Sequence, residues 1–415
     1  MKPTITIALS AAALGLAAGV HAQDEIPVGH IAAYTGPTSA VGKVYGNGIE
    51  DAIAYINEHG GVNGRMLDRD TVDYSYEAPR AVAAYKRWSG SANPPPVIQG
   101  WGTADTEALV RFVARDEITY MSASYSGHLT DPTGKSEHTE NPAPYNFFYG
   151  PSYTDGCRAM VSWAKDDWER RGEDGSPSWV HMGDNHPYPN APKAACSEYA
   201  ENQGFEVMDP IVYSLSPGDF KAQCLSLKDA GADYAYLANT AGSNVSLLKA
   251  CDTVDVDVQF VSNVWGFDEL TAPAAEEAGD DIVFPVGAAE WGADVPGMDT
   301  IEEVSLMSDQ DGDEERALHY MRGVCSVFFM RDAMVMAGGD GEITGPRVKA
   351  ALESMTGHVP EGLEGVCLPH TWSPENHRGT TRVMVYQNEW EGDGEFELQK
   401  LTTVDLPRRE DWLGW

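Results

Sequence analysis

Basic residues are scarce in this chain: 28 lysines and arginines stand against 64 aspartates and glutamates in 415 residues, a formal charge of −36. Contact with a phosphate backbone or an anionic membrane surface would begin with like-charge repulsion, which excludes nucleic acid as a partner. The acidity is read as a solvated surface and names no ligand. Beyond the amino-terminal segment no apolar run reaches ~18 residues, so no later stretch is expected to span a bilayer. Enzyme signatures are missing as well. There is no G-x-S-x-G, no H-E-x-x-H and no G-x-G-x-x-G behind a strand. Gly134-Lys135-Ser136 imitates the end of a phosphate-binding loop, but Leu129 stands where its first glycine belongs. Ser308–Glu315, SDQDGDEE, has Gly312 and Tyr320 at the wrong places for a calcium loop, and reads as a solvated helix start. His181 with His186, and His370 with His377, are too far apart to share a helical face and have no thiolate beside them. No catalytic residue, metal ligand or cofactor is expected.

What is present begins with an export signal. Residues 1–22 carry one early Lys2, an apolar Ala-rich core from Ile5 to Val20, and Val20-His21-Ala22 before Gln23, the pattern of a cleavable signal peptide. The expected destination is the periplasm. Six cysteines in an exported chain are even in number, with no C-x-x-C among them, so disulfides are expected rather than a metal or redox motif. Sequential pairing, Cys157–Cys196, Cys224–Cys251 and Cys325–Cys367, is the expectation among about 15 connectivities. Six separate buried thiols are the alternative, since free cysteine is a common core residue.

Strand-like runs alternate with helical ones along the whole chain: PVIQGW, ITYMSAS, SWVHMGD, ADYAYLAN, VQFVSNVW and DIVFPVG are separated by amphipathic stretches such as TEALVRFVARD. This is the rhythm of βαβ units and doubly wound parallel sheets, and the length suits two domains. The sharpest local signal is Ala52–Arg65, AIAYINEHGGVNGR. Ala52, Ile53 and Ile56 follow a helical spacing, Asn57 to Gly61 carry helix stop signals, and Val62 begins the next element.

Together with Thr35-Gly36-Pro37 behind the first strand, the stretch Ile56–Arg65 matches an I-N-x-x-G-G-[IV]-x-G-R turn. In both motifs the chain resembles type 1 periplasmic solute-binding proteins of ABC transporters, the branched-chain amino-acid-binding family. The resemblance continues with weaker motifs to about Trp390. It implies an α/β fold of two doubly wound parallel-sheet lobes joined by three hinge crossings, here near Tyr145–Tyr153, Pro285–Trp291 and Leu368–Arg378. One lobe would hold 24–148 and 288–368, the other 149–287 and 369–415. It further implies a monomer that closes on a small solute and delivers it to ABC permease subunits in the inner membrane. A periplasmic module that senses a ligand and signals to a membrane receptor is the alternative on the same fold.

In open α/β sheets ligands bind beyond the carboxyl ends of the strands, where helix N-termini present free N–H groups. Trp101 and Thr103 follow one strand; Ser124, Tyr125 and Ser126 follow the next. The resemblance implies that Thr103 and Ser126 are hydroxyl grips for a ligand carboxylate, with Ser124 and Tyr125 contributing backbone. Tyr188 and Thr240 match the family's two aromatic positions in the other lobe. Each hydroxyl could equally serve as a helix N-cap. Family members that bind free amino acids usually carry an acid after the strand that corresponds to VQFVSN, but Asn263-Val264-Trp265 stands here. With Trp101, Tyr125, Tyr188 and Trp265 converging, an apolar or aromatic carboxylate is expected, or a cationic group on a ring face. Glu290 or Asp268 could supply the missing charge for an amino acid.

Overall fold

The computed structural model describes residues 25–339 and 341–415; the proposed signal peptide lies outside the described residues. The first sheet is parallel throughout. It contains β1 (Ile26–Ala32), β2 (Leu67–Asp73), β3 (Val97–Gly100), β4 (Thr119–Ser122) and β5 (Asn146–Phe148) in the order β2-β1-β3-β4-β5. Helices α1 (Ser39–Glu58), α2 (Ala78–Ser89) and α3 (Thr103–Asp116) connect its strands. Strands β3 and β4 are buried at every position, as expected for a sheet covered on both faces.

The chain then enters a second sheet through α4 (Tyr153–Arg171). Its strands are β6 (Ser178–Gly183), β7 (Glu206–Val207), β8 (Ile211–Val212), β9 (Tyr234–Leu237), β10 (Gln259–Ser262) and β11 (Val283–Val286). Helices α5 (Pro187–Asn190) and α6 (Lys193–Asn202) lie between β6 and β7, β7 runs on into β8, and α7 (Lys221–Ala230), α8 (Ala241–Asp252) and α9 (Ala272–Ala275) lie between the strands that follow. From β11 the chain returns to the first sheet with α10 (Met298–Ser305), α11 (Leu318–Ala337) and α12 (Gly345–Glu353): α11 lies along α1 and α12 touches β4. A last passage ends in β12 (Arg382–Gly392) and β13 (Glu395–Asp405).

These final strands depart from the purely parallel expectation. β12 pairs antiparallel with β11 and with β13, and β12 and β13 are joined by a tight turn rather than a crossover helix. Gly392, Asp393 and Gly394 all have positive φ (86°, 52° and 91°), the backbone that such a hairpin turn demands.

The Ala52–Arg65 motif forms the predicted stop. Gly60, Gly61, Asn63 and Gly64 have positive φ, Gly61 N–H donates to Ile56 O at 2.8 Å, and Val62 bridges Arg65. Long α1 and α11 approach closely because both present glycine at the crossing. A Cβ on Gly48 would strike the Tyr320 carbonyl, and one on Gly323 the Tyr45 carbonyl.

All three expected disulfides form: Cys157–Cys196 ties α4 to α6, Cys224–Cys251 ties α7 to α8, and Cys325–Cys367 ties α11 to the segment after α12. The three passages between the sheets are also bonded to one another. Tyr149 Oη donates to Gly287 O (2.6 Å) and accepts from Leu368 N–H (2.9 Å), while Gly150 N–H donates to His370 Nε2 (2.9 Å).

Candidate functional site

The carboxyl ends of both sheets meet around one cavity. From the first sheet come Thr38 after β1, Tyr76 after β2, Trp101 to Thr103 after β3, and Ala123 after β4. From the second come Tyr153 at the start of α4, Tyr188 in α5, Thr240 ahead of α8, and Trp265 after β10. The free space at its centre takes roughly one water-sized sphere, about 10 Å³.

Local backbone needs explain the residue types. Gly102 caps α3 in an extended conformation, and a Cβ there would collide with the Asp105 carboxylate and the Tyr74 hydroxyl. Its N–H donates to Asp105 Oδ2 (3.3 Å), and Tyr74 Oη donates to Asp105 Oδ1 (2.7 Å). Burial of this carboxyl pushes its pKa from 3.8 up to about 7. At the rim Ser75 and Tyr76 both have positive φ (55° and 62°), unusual for a bulky side chain. The turn is held by Asp73, whose Oδ1 accepts from Ser75 N–H at 3.1 Å, and by the Thr35 and Ser75 hydroxyls 2.7 Å apart.

A ring cluster forms the apolar wall. Trp101 and Trp265 meet with centroids 4.8 Å apart, and Tyr153 meets Tyr188 at 5.4 Å, edge to face. Each ring is fixed by a polar handle: Trp101 Nε1 donates to Thr38 Oγ1 (3.0 Å), Trp265 Nε1 to Tyr153 Oη (3.2 Å) and Tyr188 Oη to Asn263 Oδ1 (2.7 Å). Thr103, first residue of α3, accepts from Ser124 Oγ at 2.8 Å. Thr240, which precedes α8, keeps its buried hydroxyl without a hydrogen bond. Burial raises the phenols of Tyr76 and Tyr188 well above their ordinary pKa and Tyr153 to about 12, so all three are neutral at physiological pH. Among the described residues, no Asp, Glu, Lys, Arg or His lines this cavity.

Five of the expected residues therefore share the wall: Trp101, Thr103, Tyr188, Thr240 and Trp265. Ser124 sits one hydrogen bond behind it. Tyr125 is also behind, its ring 5.4 Å from Phe148 and 5.5 Å from Trp265. Ser126 faces away: it leads into the turn Gly127–Thr130, and its hydroxyl donates to Glu107 Oε1 at 3.2 Å. Ala123 is the wall residue from this loop. The two candidate acids do not reach the wall. Asp268 pairs with His319 at 3.1 Å and with Thr271, and Glu290 lies beside Tyr386, where its charge helps raise that phenol's pKa. Thr38, Tyr76 and Tyr153 are additional wall residues. The rule that sites gather at strand carboxyl ends, applied to β1 and β2, points to the first two. Tyr153 has no such signal.

Two sheet-based lobes with strand ends facing a shared aromatic cleft define a protein that encloses a small molecule. The chain belongs to the Periplasmic binding protein family, whose pattern it matches over residues 25–395. This is a family of transporter solute-binding proteins, not of enzymes. None of the curated proteins matches it. Among solved structures, it is similar to an ABC transporter substrate-binding protein from Aeropyrum pernix at 26% identity, covering 94% of this chain and 98% of that one with a TM-score of 0.79. A branched-chain amino acid ABC transporter protein from Thermus thermophilus with bound valine has the same fold at 19% identity, 92% and 97% coverage and a TM-score of 0.79. So does a solute binding protein from Rhodopseudomonas palustris BisB5 in complex with 3,4-dihydroxy benzoic acid, at 17% identity, 92% and 97% coverage and a TM-score of 0.72.

Proposed function

We propose that this chain is the periplasmic solute-binding component of an ABC importer, that it captures a compact carboxylate with an apolar or aromatic body, and that it hands this solute to permease subunits in the inner membrane. The lobes are 24–148 with 288–368 and 149–287 with 369–415, and the protein acts as a monomer. The observation that carries the reading is the make-up of the wall. The first residues of α3 and the residue ahead of α8 face a cage of rings from both sheets, with no ionised side chain among them. Helix N-termini and hydroxyls suit an anionic end, while rings suit an apolar body. A free amino acid would leave its ammonium facing ring surfaces alone. Of the ligands of the two neighbours, 3,4-dihydroxy benzoic acid joins a carboxylate to an aromatic body without an ammonium, in line with this reading, whereas valine carries one.

The cavity takes about one water-sized sphere, so a solute enters only when the lobes part and binding recloses them around it. Calorimetric titration of the purified protein against aromatic acids, aliphatic acids and amino acids tests the ligand class. An aromatic or branched aliphatic monocarboxylate is expected to bind, with a smaller radius of gyration by X-ray scattering at saturation. Binding of only uncharged or cationic solutes refutes the reading.

A further inference from the structure

Behind the aromatic wall lies a buried cation that the cavity itself does not reveal. Arg322, on α11, is fully buried, and its Cζ sits 3.7 Å from the centroid of the Trp265 ring and 4.9 Å from that of Tyr125. Its Nη1 donates to Val264 O at 3.0 Å and to His319 Nδ1 at 2.9 Å. Nε and Nη2 make no hydrogen bond, and among the described residues no carboxylate lies within ion-pair distance of it. Arginine can only donate, so His319 Nδ1 accepts and its proton sits on Nε2, which lies 3.1 Å from Asp268 Oδ2. The histidine is thus neutral. Burial holds its pKa below the ordinary value against the opposing pull of Asp268. The relay runs Arg322, His319, Asp268, with the positive end stacked on Trp265 and the negative end one imidazole further away.

Trp265 lines the cavity and Arg322 does not, so the indole separates the guanidinium from the solute space. We propose that Arg322 is a specificity-determining residue: acting through Trp265, it places a positive potential on the cavity and selects anionic over neutral and cationic solutes. This deepens the functional reading above and rests on it. A ring with a cation on one face has lost much of the negative quadrupole by which its other face would hold an ammonium group. A carboxylate held at Thr240, which adjoins this ring because Ala241 N–H donates to Trp265 O at 2.9 Å, and lying on the far side of the indole is about 7 Å from the guanidinium, allowing one van der Waals contact on each side of the ring. At an effective dielectric of about 20, attraction over that distance corresponds to about fiftyfold in affinity. The cationic stack therefore accounts for how a wall without charged side chains could still discriminate by charge.

The test uses three near-isosteric probes, 3-phenylpropionate, 3-phenylpropanamide and 3-phenylpropylamine, titrated into the full mature protein and into Arg322→Met and Arg322→Lys. The wild type is expected to prefer the acid over the amide by at least tenfold and over the amine by more. Arg322→Met should weaken the acid at least tenfold while leaving the amide within about twofold, and Arg322→Lys should keep most of the preference. Equal losses for acid and amide in Arg322→Met would mean a purely structural role and overturn the inference, as would a preference for the acid that Arg322→Met leaves intact; the carboxylate reading survives both. If Arg322→Met does not fold, Arg322→Gln takes its place, and a wild type that binds acid and amide equally overturns the inference without any variant. A wild type that binds the amide or the amine but not the acid removes the functional reading and the inference together.

Discussion

Asp105→Asn should make the protein more stable at alkaline pH and slightly less stable at acid pH. The carboxyl is buried behind the cavity wall, where it holds Gly102 N–H and the Tyr74 hydroxyl, and its pKa rises from 3.8 to about 7. In the unfolded chain the same group loses its proton near 3.8. Between about pH 4 and pH 7 the folded state therefore binds more protons than the unfolded one, and stability falls as pH rises through that window. A shift of about three units corresponds to about 4 kcal/mol, fully present below the unfolded pKa and lost above the folded one. Asparagine removes this dependence. It retains one acceptor for two donors, which costs about 1 kcal/mol at every pH. At pH 8.5 the variant should exceed the wild type by about 3 kcal/mol, and near pH 4 the difference should vanish or reverse. Urea unfolding of both proteins, followed by tryptophan fluorescence at matched pH, isolates this group because all other titrations cancel in the difference. A difference that stays flat from pH 4 to 8.5 refutes the reasoning. The same proton bears on the site, since carboxylate affinity should decline above pH 7 in the wild type and not in the variant.

Thr103→Ala should weaken carboxylate binding by about tenfold or more, the worth of one hydrogen bond to a charged group. Ser126→Ala should leave it within about twofold, since that hydroxyl serves Glu107; calorimetry on both decides, and equal losses would put the ligand elsewhere. Removing Cys325–Cys367, which spans a sequence separation of 42, by the double substitution Cys325→Ser and Cys367→Ser should cost about 3–4 kcal/mol. An unchanged urea midpoint would contradict that cost.

The βαβ rhythm, the helix stop at Ile56–Arg65 and the presence of disulfides were legible in the sequence because each depends on a short-range or countable signal, whereas the sequential pairing was one expectation among about 15 that the packing of the helices decided. Apolar period, glycines at positive φ and an even cysteine number need no knowledge of distant neighbours. Trp101, Thr103 and Trp265 were legible for a related reason, since the carboxyl end of a strand is a position along the chain as well as a place in the fold, whereas Tyr188 and Thr240 were legible only through the family resemblance. The antiparallel β12–β13 hairpin was not, since its strands extend a sheet built mainly by residues more than a hundred positions earlier. The direction of Ser126 was decided by the turn that follows it and by Glu107 on α3. Tyr153 joins the wall only because α4 begins at a passage between the sheets, and Arg322 reaches Trp265 only because α11 folds back onto α1 from the far end of the chain. Secondary structure follows from interactions a few residues apart, whereas the charge behind a cavity wall depends on which distant helix is buried against it, and only tertiary packing sets that.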